Sequence, residues 1–132
     1  MVIDEAVRLY RTGGCFAMAL AISNLTGHPV RCIDYGSCVH AFVQTPEGDV
    51  IDIHGRHTWA SFLSFLVDEG CLPRHALAPG TVQPFPLPEP SAISIAWRHA
   101  GYKHPSAKQV AAAARVATSH PNLGGILRSR KP

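Results

Sequence analysis

The stretch Val39-His40-Ala41-Phe42-Val43-Gln44-Thr45-Pro46-Glu47-Gly48-Asp49-Val50-Ile51-Asp52-Ile53 sets two runs rich in β-branched residues on either side of a turn signal. Pro46 suits the second position of a type I turn and Gly48 tolerates a left-handed backbone, so Pro46-Glu47-Gly48 predicts a three-residue loop closing a β-hairpin. That loop sets Thr45 opposite Asp49, Phe42 opposite Asp52 and His40 opposite His54. His40 and Asp52 then share one face as diagonal neighbours, with Cα atoms roughly 7–8 Å apart and side chains within hydrogen-bonding reach. One extra loop residue would put them on opposite faces.

Working outward, residues 30–33 read as a preceding strand, with Tyr35-Gly36-Ser37 as its turn into the strand at 39–43. Before it, residues 15–25 carry Phe16, Ala17, Met18, Ala19, Leu20, Ala21 and Ile22, apolar on every side, as expected of a helix buried at the centre of a fold. Asp4 can cap a short helix running to about Arg11, which Thr12-Gly13-Gly14 stops. After the hairpin, residues 58–69 place Trp59, Phe62, Leu63, Phe65 and Leu66 at helical spacing, and Gly70 ends the run. The proline-rich segment 79–90 reads as an extended, irregular connector, and residues 93–97 fit a short strand or a helix start equally well. A helix is expected over 107–118, with Ser106 as its cap and Pro121 just past its end. The fold class is therefore α+β, a central helix packed on a small antiparallel sheet with peripheral helices. Residues 1–121 form one domain and 122–132 a frayed basic tail.

A chain of 132 residues buries roughly two-thirds of its unfolded surface, enough for one core. With 16% charged residues and no apolar run near the roughly 18 residues that span a bilayer, no membrane partner is expected. The start of the chain lacks a basic region ahead of an apolar stretch, which points to the cytoplasm, although delivery by a specialised secretion machine leaves no trace in a sequence. A net charge of +3, partly in Arg128-Ser129-Arg130-Lys131, gives no case for nucleic acid. Cys15, Cys32, Cys38 and Cys71 show no CxxC pair, so free thiols in a reducing compartment are expected, with Cys32, Cys38 and Cys71 as inert core thiols.

Cys15 is different because it stands at a helix start behind Gly13-Gly14. A thiol attacks as thiolate, and the unpaired N–H groups and partial positive charge of a helix N-terminus favour the anion. Gly13 and Gly14 let the backbone turn sharply and leave room for a substrate carbonyl, to whose developing oxyanion the Cys15 N–H can donate. His40 and Asp52 then supply the base and the acid that orients it. His54 and His57 follow on the same hairpin arm and are read as the rim of the substrate and oxyanion region.

Gly14-Cys15-Phe16-Ala17-Met18-Ala19-Leu20, His40-Ala41-Phe42-Val43 and Gly48-Asp49-Val50-Ile51-Asp52 together resemble the core of the papain-like cysteine hydrolases. The order Cys, His, Asp with a close hairpin is most similar to compact bacterial and phage-type members, and more distantly to NlpC-type and transglutaminase-like enzymes. The resemblance covers residues 10–57. It implies a papain-like core and thioester chemistry on an amide bond, with no cofactor and no metal: a peptidase, isopeptidase, deamidase or amidase acting on a protein or peptide substrate. Arg8, Tyr10, Arg11 and Thr12 stand where papain-like proteases place an oxyanion-hole Gln, so that donor is unassigned. The short span from Cys15 to His40 favours a small or single-site substrate.

Two other classes fit parts of the same sequence. Asp52, His54 and His57 form D-x-H-x-x-H, and Cys38 and His40 alternate on the facing strand, a pattern from which a zinc site could assemble. The fold could also serve as a non-catalytic interaction module.

Overall fold

The computed structural model describes residues 3–11, 14–35, 38–89, 93, 97, 102 and 104–128. The turn at Gly36-Ser37, Thr12, Gly13 and most of 93–97 lie outside them.

Helix α1 (Ile3–Arg11) leads into α2 (Cys15–Thr26), followed by β1 (Val30–Tyr35), β2 (Cys38–Gln44), β3 (Val50–Asp52) and β4 (Gly55–His57). Helix α3 (Trp59–Asp68), a 3-10 turn (Arg74–Leu77), β5 (Phe85–Pro86), α4 (Ala107–Ser119) and α5 (Gly124–Arg128) complete the chain. The strands form one antiparallel sheet in the order β4-β3-β2-β1-β5, with helices on both faces. The architecture is α+β, as the hydrophobic patterning predicts.

Alternation along the strands sorts the core into two sides. Val43 and Ile51 point to the side of α2 and α4, where they meet Met18, Ile22, Ala113 and Ala117. Ile33, Phe42 and Val50 point the other way, onto Phe62, Leu63 and Leu66 of α3. Strand β3 is therefore covered on both faces, and Val50, Ile51 and Asp52 are all buried. Helix α2 is buried on nearly every side, as an all-apolar surface requires, and ends at Gly27, whose left-handed φ of 78° lets its N–H close on the Ser23 carbonyl at 2.8 Å.

The hairpin register matches the expectation at its loop end, but the ladder stops at Val43 and Ile51, so Phe42 with Asp52 and His40 with His54 are not ladder pairs. Val43 pairs with Ile51 and Gln44 with Val50, the Thr45 N–H donates to the Asp49 carbonyl at 2.9 Å, and Gly48 takes φ 91°. Caps behave as their residue types dictate: Thr58 Oγ1 accepts from the Ser61 N–H, and Ser106 forms a reciprocal capping box with Gln109.

Five expectations need correction. Helix α1 already includes Ile3, so Asp4 lies in its first turn instead of capping it. Strand β4 has no counterpart in the sequence reading; the two residues Ile53 and His54 turn the chain back, and Gly55 at φ 103° opens the new strand. The 79–90 segment is extended but not wholly irregular, since Phe85 and Pro86 pair with Cys32 and Arg31 at the sheet edge, where a residue without an N–H is tolerated. Cys71 is exposed, not a core thiol, because it follows the Gly70 stop of α3. Finally, 122–128 is no frayed tail: Leu123 is fully buried among Ile53, Ala113 and Ala117, and α5 packs behind it, while 129–132 lie outside the described residues.

Burial of Leu123 gives a direct check on that last correction. Leu123→Ala should cost about 2–5 kcal/mol in chemical unfolding, whereas Leu9→Ala, at a position 46% exposed, should stay within about 0.5 kcal/mol.

Candidate active site

Cys15 is the first residue of α2, so its N–H belongs to the turn that has no acceptor within the helix. Gly14 precedes it, and a Cβ there would stand 2.8 Å from the Leu9 carbonyl oxygen and 3.2 Å from the Tyr10 ring. The space that Gly14 leaves is thus used to bring α1 against the start of α2, tied by the Gly14 N–H to the Leu9 carbonyl at 3.0 Å, and not to admit a substrate. Gly13 lies outside the described residues. Cys15 packs in a buried cluster with Phe16, Ala19, Cys32, Ala41, Ile93 and Trp97, and only 2% of its surface is accessible.

His40 lies on β2 and Asp52 ends β3, and their side chains meet with Nε2 3.5 Å from Oδ2. That separation is long for a hydrogen bond and well within ion-pair range. Beside the pair, the ladder of β2 and β3 extends only to Val43 and Ile51. The Cys15 thiol lies close enough to the same imidazole to favour its charged form. The ring stacks against Phe62 of α3, with centroids 5.8 Å apart and planes 30° from parallel, and against Phe42 at 6.3 Å. Asp52 has a second partner, the His54 N–H, which donates to Oδ1 at 2.9 Å.

Burial is the largest influence on His40 and works against its charged form, but the contacts with Asp52 and Cys15 outweigh it and raise the imidazole to about 10. Burial likewise acts to raise Asp52, and it is overcome by His40 and the His54 N–H, so the carboxyl stays below its usual range. Cys32 lacks such partners; burial, followed by the charge of nearby Cys15, pushes its thiol up to about 12 and keeps it protonated.

A cavity of about 210 Å³ opens beside the pair, walled by His40, Asp52, His54, Phe65, Leu66, Glu69 and Cys71. His54 is one of the walls, its ring 4.4 Å from that of Phe65. His57 stands opposite Val50 in the sheet and is not among the residues that wall this cavity. Among the described residues, no group of three His, Cys, Asp or Glu side chains could hold a metal ion. The Cys38 side chain lies outside those residues.

The sequence reading missed the contribution of α3. Phe62, Leu66 and Glu69 follow at i, i+4 and i+7, so one helical stripe supplies both the ring behind His40 and part of the cavity wall. The periodicity identifies that stripe as buried, while the partner it meets is set by tertiary packing. Cys71 enters the wall because Gly70, at φ 79°, turns the chain back after α3.

The electrostatics predict a pH profile for stability. The raised His40 stabilises the fold fully below its ordinary value of 6.5, and this contribution is lost as pH rises towards about 10. Asp52 contributes above its ordinary value of 3.8 and loses that contribution on acidification through its lowered one. In urea unfolding, the wild type should therefore lose stability between pH 6.5 and 10, and His40→Gln should show a clearly shallower decline.

Compared with known proteins, the chain matches no family model, no curated protein and no solved structure.

Proposed function

We propose that this protein is a cysteine-dependent hydrolase or acyl transferase acting on an amide bond through Cys15, His40 and Asp52. The observation that carries the reading is a single buried imidazole paired with the Asp52 carboxylate and charge-coupled to the Cys15 thiol. A structural histidine needs one satisfied partner. A thiol, an imidazole and a carboxylate in series are the arrangement that nucleophilic acyl transfer requires.

With Nε2 turned to Asp52, Nδ1 is the ring nitrogen left to serve the thiol. His40, held cationic by Asp52 and Cys15, keeps the proton shared with the thiol, and the sulfur attacks the substrate carbonyl as thiolate. The Cys15 N–H at the start of α2 faces the developing oxyanion. Collapse of the tetrahedral species breaks the C–N bond, and His40 returns its proton to the departing amine, leaving a thioester on Cys15. Water, deprotonated by His40, releases the acid and restores the thiol; a second amine in its place gives transfer. Asp52 holds the ring and stabilises its cationic form throughout.

The helix that carries the cysteine, the antiparallel sheet that carries the histidine and the acid, and the order of the three along the chain support a papain-like reading of the core. The free thiols of Cys15, Cys32 and Cys71 favour work in a reducing compartment, which we take to be the cytoplasm. The substrate is a protein or peptide amide presented singly to a small enzyme.

The test is the covalent intermediate. An activated acyl donor such as a p-nitrophenyl ester should add one acyl group to the protein, mapped by mass spectrometry to Cys15. The adduct should be absent in Cys15→Ala, and its formation should slow by about 10²–10⁴-fold in His40→Ala. Acylation of exposed Cys71 in preference to Cys15 would overturn the reading.

A further inference from the structure

The joint between α4 and α5 touches the site from outside. Asn122 donates from Nδ2 to the Ile53 carbonyl at 3.0 Å, and its own N–H donates to Nδ1 of buried His120 at 3.1 Å. The approach is close because Gly55 has no side chain; a Cβ there would lie 3.1 Å from the Asn122 carbonyl oxygen. The oxygen that Asn122 grips belongs to the peptide group linking Ile53 and His54. The N–H of that same group donates to Asp52 Oδ1 at 2.9 Å. One planar unit is thus held at its oxygen by Asn122 and presents its N–H to the carboxylate.

We infer that Asn122 is a positioning residue for Asp52, acting through the 53–54 peptide; the inference rests on the triad reading given above. A peptide group in a two-residue turn can rotate about its flanking bonds, and rotation here would withdraw the N–H from Asp52. Asn122 blocks that rotation, and by binding the oxygen it strengthens the N–H at the other end as a donor. His120 aims the Asn122 backbone in turn. A residue seventy positions downstream of the strand that carries Asp52 therefore sets how firmly the carboxylate faces His40.

The experiment follows the His40 ring by NMR across pH in the full chain, with acylation of Cys15 as a second readout. In Asn122→Ala the carboxylate is released, and the His40 midpoint should fall by about half to one pH unit, with slower acylation of Cys15. Leu127→Ala, which loosens α5 but leaves the Asn122 bonds intact, should lower the melting temperature without moving the midpoint. A raised wild-type midpoint that is unchanged or higher in Asn122→Ala overturns the positioning role alone. A wild-type His40 that titrates near 6.5 overturns the triad reading and this inference with it.

Discussion

Closure of the β2–β3 hairpin between Thr45 and Asp49 constrains everything else in the molecule. Two bonds tie the ends, the Thr45 N–H to the Asp49 carbonyl at 2.9 Å and the Asp49 N–H to Thr45 Oγ1 at 3.1 Å, and the Gly48 N–H closes the turn on the Thr45 carbonyl. A slip of one residue would exchange the two faces of a strand, turning Val43 or Ile51 towards α3 and Phe42 or Val50 towards α2. It would also carry Asp52 away from His40. Both halves of the core and the charge pair are thus set by one loop.

The pair itself is a costly thing to bury. Taking an imidazolium and a carboxylate out of water is recovered only when geometry is good and the remaining lone pairs are satisfied. Here the His54 N–H serves the second oxygen of Asp52, Phe42 and Phe62 cover the ring, and the Cys15 thiol meets it from α2. A fold that only needed packing at this point would do as well with two apolar residues. On the proposed reading, the two charges serve the chemistry of the site and not its packing.

Much of this was legible in the sequence for a physical reason. Loop geometry is local, so Pro46-Glu47-Gly48 was enough to bring His40 and Asp52 onto one face, and an all-apolar run behind Gly13-Gly14 was enough for α2. What the sequence did not disclose depends on contacts distant along the chain. The turn at Ile53-His54 lacks the usual glycine or asparagine at its centre, so β4 was missed, and with it the true position of His57. Leu123 looked like part of a polar end because its partners, Ile53 and Ala117, come from elsewhere in the fold. Gly14 was read as room for substrate, a role that the approach of Leu9 takes over.

The two borders of the sheet bear on how the molecule behaves in company. On one side β5 offers Pro86, which has no N–H to give, so an incoming strand finds a gap in the donor row. On the other, β4 carries Arg56 at its centre, whose guanidinium bonds Asp49 at 2.9 Å and Glu47 at 3.2 Å across the outer surface. A neighbouring chain adding there must set its own backbone beside that cluster of charge. Crowded solutions of this protein are thereby steered away from edge-to-edge growth into fibrils, even though the interior strands are rich in valine and isoleucine.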